Sequence, residues 1–332
     1  MLTWSSSLRG RSLLTLLDIE NAEMLELIRL SIQLKERRRS GVRGRLLDRR
    51  QIALIFEKSS TRTRNAASVA IRDEGGSAEY LSRSDIHLGA KESVADTARV
   101  LGRMFDGILF RGFAQATVEG LARHSGVPVW NGLTDDFHPT QVLADLMTVQ
   151  ENFGRLPGIR LAYVGDGRNN VANTLMLGCA KAGLHYVNCT PPELMPDPNL
   201  VATAQGLAKD TGGSVSVTND PLNGVRGANV LYTDVWVSMG EEAQKETRLR
   251  LLRPYQINME LCRATGNLGG ELIFLHCLPA FHDHQTLMTR ECGAMEVTDE
   301  VFESSFSRVF DESENRMHTM KALFVSAMAL DQ

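Results

Sequence analysis

The segment Glu57-Lys58-Ser59-Ser60-Thr61-Arg62-Thr63-Arg64 follows the apolar run Ile52–Phe56 and precedes a helix-period pattern of Ala66, Ala67, Val69, Ala70 and Ile71. Hydroxyl residues therefore fall at a helix N-terminus, where free backbone N–H groups and the positive end of the helix dipole favour an anion. Arg62 adds planar donors that can grip phosphate oxygens two at a time. Phosphate binding is the chemistry this spacing suits. A capped helix with surface arginines is the alternative that spacing alone leaves open. No G-x-x-x-x-G-K-[ST] run occurs anywhere in the chain, so a Walker-type nucleotide loop is excluded.

Three further strand ends carry polar groups. The run Gly107–Phe110 is followed by Arg111. Val127–Trp130 leads through Asn131 to His138-Pro139-Thr140-Gln141, where proline suits a first helical turn and His138 and Gln141 can share a face. Ile273–Leu275 ends in His276-Cys277-Leu278-Pro279. A lone arginine is usually a surface ion pair, and a lone histidine usually structural. Four such sets at consecutive strand ends point to a site.

Two rival chemistries fit parts of the chain. Tyr163-Val164-Gly165-Asp166-Gly167-Arg168-Asn169-Asn170 begins like a dinucleotide fingerprint, yet Asn170 stands in place of the third glycine. The next strand ends in Val187-Asn188-Cys189-Thr190, without the acidic residue that would hold a ribose. His276, Cys277, His282 and His284 could suggest a metal. Adjacent strand residues point to opposite faces, however, so His276 and Cys277 are not expected to share an ion. No metal and no cofactor is expected.

These groups need a scaffold, and the patterning supplies one. Expected strands are Ile52–Phe56, Gly107–Phe110, Val127–Trp130, Ile159–Val164, Tyr186–Cys189, Ser214–Val217, Val230–Tyr232 and Ile273–Cys277. Between them lie expected helices, among them Arg62–Glu74, Ser93–Phe105, Pro139–Phe153, Val171–Ala182 and Leu200–Thr211. Such alternation implies an α/β protein with doubly wound parallel sheets covered on both faces. The segment from Phe153 to Gly158 reads as a break between two such units. Open parallel sheets bind ligands beyond the carboxyl ends of their strands, which is where the polar sets fall.

Composition narrows the function classes. The chain has 332 residues, enough for two domains, with 43% apolar and 23% charged residues. A net charge of −4 gives no basic excess, so no nucleic-acid partner is expected. The basic cluster from Lys35 to Arg50 is taken as solvated surface. Five cysteines form no C-x-x-C pair and fit a reducing compartment. No apolar run reaches the roughly 18 residues of a membrane span, so no membrane partner is expected. The stretch from Met1 to Leu17 lacks acidic residues and mimics a transit peptide. It leads directly into the helix-like Ile19–Lys35, which favours a cytoplasmic protein.

The motifs Phe56-Glu57-Lys58-Ser59-Ser60-Thr61-Arg62-Thr63-Arg64, His138-Pro139-Thr140-Gln141, Asp234-Val235-Trp236-Val237-Ser238-Met239-Gly240, His276-Cys277-Leu278-Pro279 and Glu314-Asn315-Arg316-Met317-His318 resemble the signature set of the ornithine branch of the aspartate/ornithine carbamoyltransferase family. They occur in the family's order, and the similarity runs from about Leu8 to near the C-terminus. The S-T-R-T-R and H-P-T-Q elements are common to both branches. The S-M-G loop and the cysteine of H-C-L-P point to ornithine.

The resemblance implies a carbamoyl-phosphate domain formed by residues 1–150 and 317–332, and an ornithine domain formed by residues 151–316. It implies two doubly wound parallel-sheet domains, with the C-terminal helix packing back on the first. Carbamoyl phosphate would be held by Ser60, Thr61, Arg62, Thr63, Arg111, His138, Gln141, Cys277, Leu278 and Arg316. Of these, Arg111, His138, Cys277 and Arg316 would act in catalysis. Ornithine would be held by Asn170, Asp234, Ser238 and Met239. The family forms homotrimers or multiples of trimers, in which a neighbour's loop completes the phosphate pocket. Many relatives carry a Q-x-G-H-K-E-S pattern there. This chain reads His87-Leu88-Gly89-Ala90-Lys91-Glu92-Ser93, placing His87 at the cross-subunit ligand position and Ala90 where the histidine stands.

The implied reaction gives L-citrulline and phosphate, is reversible, and can run catabolically. Attack by the δ-amine on the carbamoyl carbon passes through a tetrahedral intermediate, whose new negative charge Thr63, Arg111 and His138 would stabilise. Arg62 would offset charge on the departing phosphate. An ornithine δ-ammonium should titrate near about 10.4, so activity should rise toward alkaline pH as neutral amine accumulates. Cys277 is expected to orient ligands rather than attack. Gly240 allows a hinge and Met239 an adaptable contact for loop closure over ornithine. The other acceptors in view are putrescine and acylated ornithine. A ligand-binding paralogue without catalysis is the non-enzyme alternative.

Overall fold

The computed structural model describes residues 7–86, 88–89, 91–237 and 244–329. His87, Ala90, Ser238, Met239 and Gly240 lie outside the described residues. The chain divides into two compact units, residues 1–147 with 314–332 and residues 148–313.

The first unit holds a parallel sheet of β1 (Gln51–Phe56), β2 (Ser77–Ser82), β3 (Gly107–Arg111) and β4 (Val129–Leu133), in the order β2-β1-β3-β4. β3 is buried along its length and β1 from its second residue onward, the pattern of strands covered on both faces. The outer edge of β4 is not left bare: Leu13 pairs with Trp130, donating its N–H to Val129 and accepting from the Asn131 N–H, each at 2.9 Å. The C-terminal helix Val309–Met328 continues from the second unit into the first. There Phe324 packs on Trp130 with ring centroids 4.8 Å apart, and the buried Lys321 pairs with Asp73 at 2.9 Å.

The second unit holds β5 (Arg160–Val164), β6 (His185–Cys189), β7 (Ser214–Thr218), β8 (Val230–Thr233) and β9 (Ile273–His276), all parallel, in the order β7-β6-β5-β8-β9. Strand order reverses between β5 and β8, and a crevice opens beyond the carboxyl ends at such a point. Gly165 follows β5 with φ of 151°, a backbone conformation that side-chain-bearing residues rarely adopt.

The expected α/β class with doubly wound parallel sheets is what the structure contains. Among the elements not anticipated are a strand and a helix of the first unit. β2 is an edge strand whose sequence, Ser-Ala-Glu-Tyr-Leu-Ser, is only partly buried. The helix Gln115–Ser125 carries Gly120 at its centre and buries only Val118, Leu121 and Ser125. The basic cluster also differs from a purely solvated surface. Lys35 is 4% exposed and donates to Asn315 at 2.7 Å.

Candidate active site

In the first unit, the helix Thr61–Asp73 starts where β1 ends. Ser60 is its N-cap, and the Ser60 hydroxyl accepts from the Thr63 N–H at 3.1 Å. Thr61 is exposed and Arg62 half-buried, whereas Thr63 is fully buried. The Thr63 hydroxyl is the meeting point of two guanidinium groups. Arg316, on the C-terminal helix, donates to it at 2.7 Å, and Arg111, the last residue of β3, donates at 3.4 Å. Both arginines are buried, at 2% and 7% exposure. Two buried guanidinium groups directed at one neutral hydroxyl concentrate positive charge there, an arrangement that suits an anion.

His138 precedes the helix Pro139–Phe153 and is 3% exposed. Burial pushes its imidazole well below the ordinary range, and the guanidinium groups of Arg316, Arg111 and Arg62 push the same way. His138 is thus neutral at working pH, and its Nδ1 lies 3.5 Å from the Thr140 hydroxyl. A neutral ring beside three cations can donate to a developing oxyanion without adding a fourth charge. Gln141 is fully buried one turn into the helix, and its Nε2 donates to Asp145 at 2.8 Å. The loop itself is anchored by Lys58, whose ammonium pairs with Asp135 and sits 4.3 Å over the Phe113 ring.

The second unit gathers another set. Asp234 follows β8 and is 7% exposed; its Oδ1 accepts from the Val235 N–H at 2.7 Å and from the Cys277 thiol at 3.0 Å. Asn170 opens the helix Asn170–Lys181, which Asn169 caps. Tyr163, on β5, is kept protonated by burial and by the neighbouring Asp234 and Asp166.

Cys277 follows β9 rather than belonging to it. The expectation that His276 and Cys277 point to opposite faces is therefore corrected. Strand alternation stops at His276, and potential ligand atoms of Asp234, His276 and Cys277 all lie within 4.8 Å of one another. The His276 ring is nonetheless committed elsewhere. Its Nδ1 accepts from the Leu278 N–H at 3.0 Å, and its Nε2 lies 3.2 Å from Glu296. An amide N–H can only donate, so Nδ1 is the acceptor and Nε2 carries the proton toward Glu296. That engagement uses the lone pair an ion would need. Leu278 itself has φ of 55°, a strained position held by these contacts.

Four supporting groups were missed in the sequence. Glu312 accepts from the His276 N–H at 2.9 Å and from the Tyr232 hydroxyl at 3.2 Å. Glu296 also accepts from the Phe281 N–H at 2.6 Å. Arg248 donates to the Trp236 carbonyl and to Asp166, so one buried guanidinium ties together residues on either side of positions 238–243. Asp145, four residues after Gln141, was readable as a same-face pair. The glutamates are scattered in sequence and left no such signal.

Comparison with known proteins shows the family to which these two sets of residues belong. Residues 11–151 match the family model of the aspartate/ornithine carbamoyltransferase carbamoyl-P binding domain, and residues 157–327 match that of the Asp/Orn binding domain. The chain belongs to the aspartate/ornithine carbamoyltransferase family. Among family members, a catabolic ornithine carbamoyltransferase of Bacillus licheniformis is 55% identical over 328 residues, covering 97% of each chain. The catabolic ornithine carbamoyltransferase of Enterococcus faecalis is 54% identical, covering 98% of this chain and 97% of its own. The structure is also similar to the solved ornithine carbamoyltransferase of Pyrococcus furiosus, with a TM-score of 0.90 and 41% identity, covering 97% of this chain and 98% of that one. Within the family's division of labour, the Thr63 cluster lies in the carbamoyl-P domain and Asp234 in the Asp/Orn domain.

Proposed function

We propose that this protein transfers the carbamoyl group of carbamoyl phosphate to the δ-amino group of L-ornithine, giving L-citrulline and phosphate. The observation that carries the donor half is the convergence of Arg111 and Arg316 on Thr63 beside a neutral, buried His138. Backbone N–H groups at the start of the helix Thr61–Asp73, with Ser60, Thr61, Arg62 and Thr63, hold the phosphate. Arg111, Arg316 and His138 stabilise negative charge on the carbamoyl oxygen as the amine attacks, and Arg62 follows the charge onto the leaving phosphate. Cys277 and Leu278 are the further carbamoyl-phosphate ligands that the family resemblance implies.

Asp234 and Asn170 take the α-amino and carboxylate groups of the acceptor, together with Ser238 and Met239. A buried carboxylate such as Asp234 calls for a free ammonium, which favours ornithine over an acylated ornithine, whereas putrescine keeps that ammonium and lacks only the α-carboxylate. The assembly is a homotrimer or a multiple of trimers in the cytoplasm, with His87 of a neighbouring subunit reaching the phosphate. None of the described helices is long and apolar enough to cross a membrane.

Purified protein supplied with carbamoyl phosphate and each of ornithine, putrescine, N-acetylornithine and aspartate tests this directly. Phosphate release and citrulline formation are expected with ornithine alone, at a rate rising with pH below the amine's titration near about 10.4. Turnover with another acceptor in preference to ornithine would contradict the assignment. Light scattering on the eluted protein should give the mass of three chains or a multiple of it.

A further inference from the structure

The contact between Gln141 and Asp145 has consequences for which acyl phosphate the donor site accepts. Both side chains are fully buried, and they sit four residues apart on the helix Pro139–Phe153. Side chains on a helix lean toward its N-terminus, which brings Asp145 back over the turn that carries Gln141. The two meet at 2.8 Å through the glutamine Nε2 and Asp145 Oδ1. A carboxylate only accepts, so it demands the –NH2 end of the amide. The other end is then the carbonyl oxygen, also an acceptor.

We propose that Asp145 is a positioning residue that locks the Gln141 amide with its oxygen presented to the acyl group of the donor, so that the site selects an acyl phosphate bearing N–H. This rests on the carbamoyl-phosphate assignment of the first unit. Carbamoyl phosphate and acetyl phosphate are nearly isosteric and share the phosphate and the carbonyl. They differ in an amino group that donates against a methyl that cannot. An acceptor held in place discriminates between them, because a methyl against a buried oxygen leaves that oxygen unsatisfied. With the amide free to turn over, its –NH2 end would face the methyl as readily, and the preference would fade.

The experiment compares KM for carbamoyl phosphate with the competitive inhibition constant of acetyl phosphate, in one citrulline-forming assay. Wild-type protein should prefer carbamoyl phosphate. Asp145→Asn, which can either donate or accept, should cut the ratio of the two constants by about tenfold or more, the worth of one buried polar contact. General damage to the helix would weaken both ligands together and leave the ratio in place. The exchange Gln141→Glu with Asp145→Asn restores a fixed acceptor, since the amide then present at position 145 donates to one carboxylate oxygen and the other oxygen faces the acyl group. It should recover the ratio even though a new charge near phosphate weakens both ligands. If Asp145→Asn alone does not fold, the exchanged protein is compared with wild type directly, and a lost preference overturns the proposal. An unchanged ratio in Asp145→Asn, or no preference in wild type, also overturns it. A wild-type protein that forms no citrulline at all overturns the carbamoyltransferase assignment as well, and is distinguishable for that reason.

Discussion

Arg316 donates to the hydroxyl of Thr63 at 2.7 Å, joining the C-terminal helix to the first turn of the helix that follows β1. The contact spans 253 positions of sequence. It brings a guanidinium from the end of the chain onto the first turn of that helix, where Arg111 arrives from β3.

Thr63→Val keeps the shape of the side chain and removes the acceptor that both arginines use. Hydrogen bonds to charged groups contribute about 1.5–3 kcal/mol. A loss of roughly 10- to 100-fold in kcat/KM for carbamoyl phosphate is expected, with a lowered unfolding temperature because two buried cations lose a partner. Steady-state kinetics and thermal denaturation measure both. Unaltered kcat/KM would mean that Thr63 does not hold the arginines in their working positions.

His138 should remain neutral from pH 8 to well below 6.5, because burial and the three guanidinium groups around it oppose the proton. Nitrogen-15 shifts of the imidazole, assigned by His138→Gln, report this directly. A titration midpoint at or above 6.5 would contradict the electrostatic picture. In the same variant, kcat should fall by about 100- to 1,000-fold, as when one donor to an oxyanion is removed.

How far these features were legible in the sequence depends on what set them. Ser60 to Thr63 at the start of a helix was readable, because hydroxyl residues before an apolar helix pattern have one dominant local meaning. The strands buried on both faces announced themselves by continuous apolar runs such as Ile52–Phe56. β2 was hidden because an edge strand pairs on one side only, and Ser77–Ser82 needs less apolar surface. Cys277 was misjudged because strand alternation was carried one residue past the end of β9. The roles of Glu296 and Glu312 depend on contacts 20 and 36 positions away, which local patterning does not encode.

Cys277 donates its thiol proton to Asp234, and the adjacent His276 ring is held by Leu278 and Glu296. That imidazole is therefore not oriented to generate a thiolate nucleophile. Cys277→Ser retains a donor to Asp234 and should cost no more than about tenfold in kcat, because the hydrogen bond is kept rather than lost. Mass spectrometry of quenched turnover should find no adduct on the cysteine. A trapped carbamoyl-cysteine would contradict this.

Acid stability should be governed in part by His318 in the C-terminal helix. Burial pushes its imidazole from the ordinary 6.5 down to about 4, against the opposing hydrogen bond with Glu314 at 3.2 Å. The folded value lies below the unfolded one, so the unfolded chain takes up the proton first as pH falls. Stability is therefore full above about 6.5 and is lost progressively toward about 4. The partner Glu314 is held below 4.5, its burial outweighed by contacts with His318, Lys35 and Arg39, so its own contribution is lost only in more acidic solution. His318→Gln should flatten the fall in urea midpoint between pH 6.5 and about 4. Parallel curves for variant and wild type would rule out His318 as the source.

The most direct measurement is the location of bound carbamoyl phosphate in a crystal of this protein. Its phosphoryl oxygens are expected within hydrogen-bonding distance of the backbone N–H groups and hydroxyls from Ser60 to Thr63, with the carbamoyl oxygen facing Arg111 and His138. Clear density for the ligand elsewhere, with the start of the helix Thr61–Asp73 empty, would contradict the account.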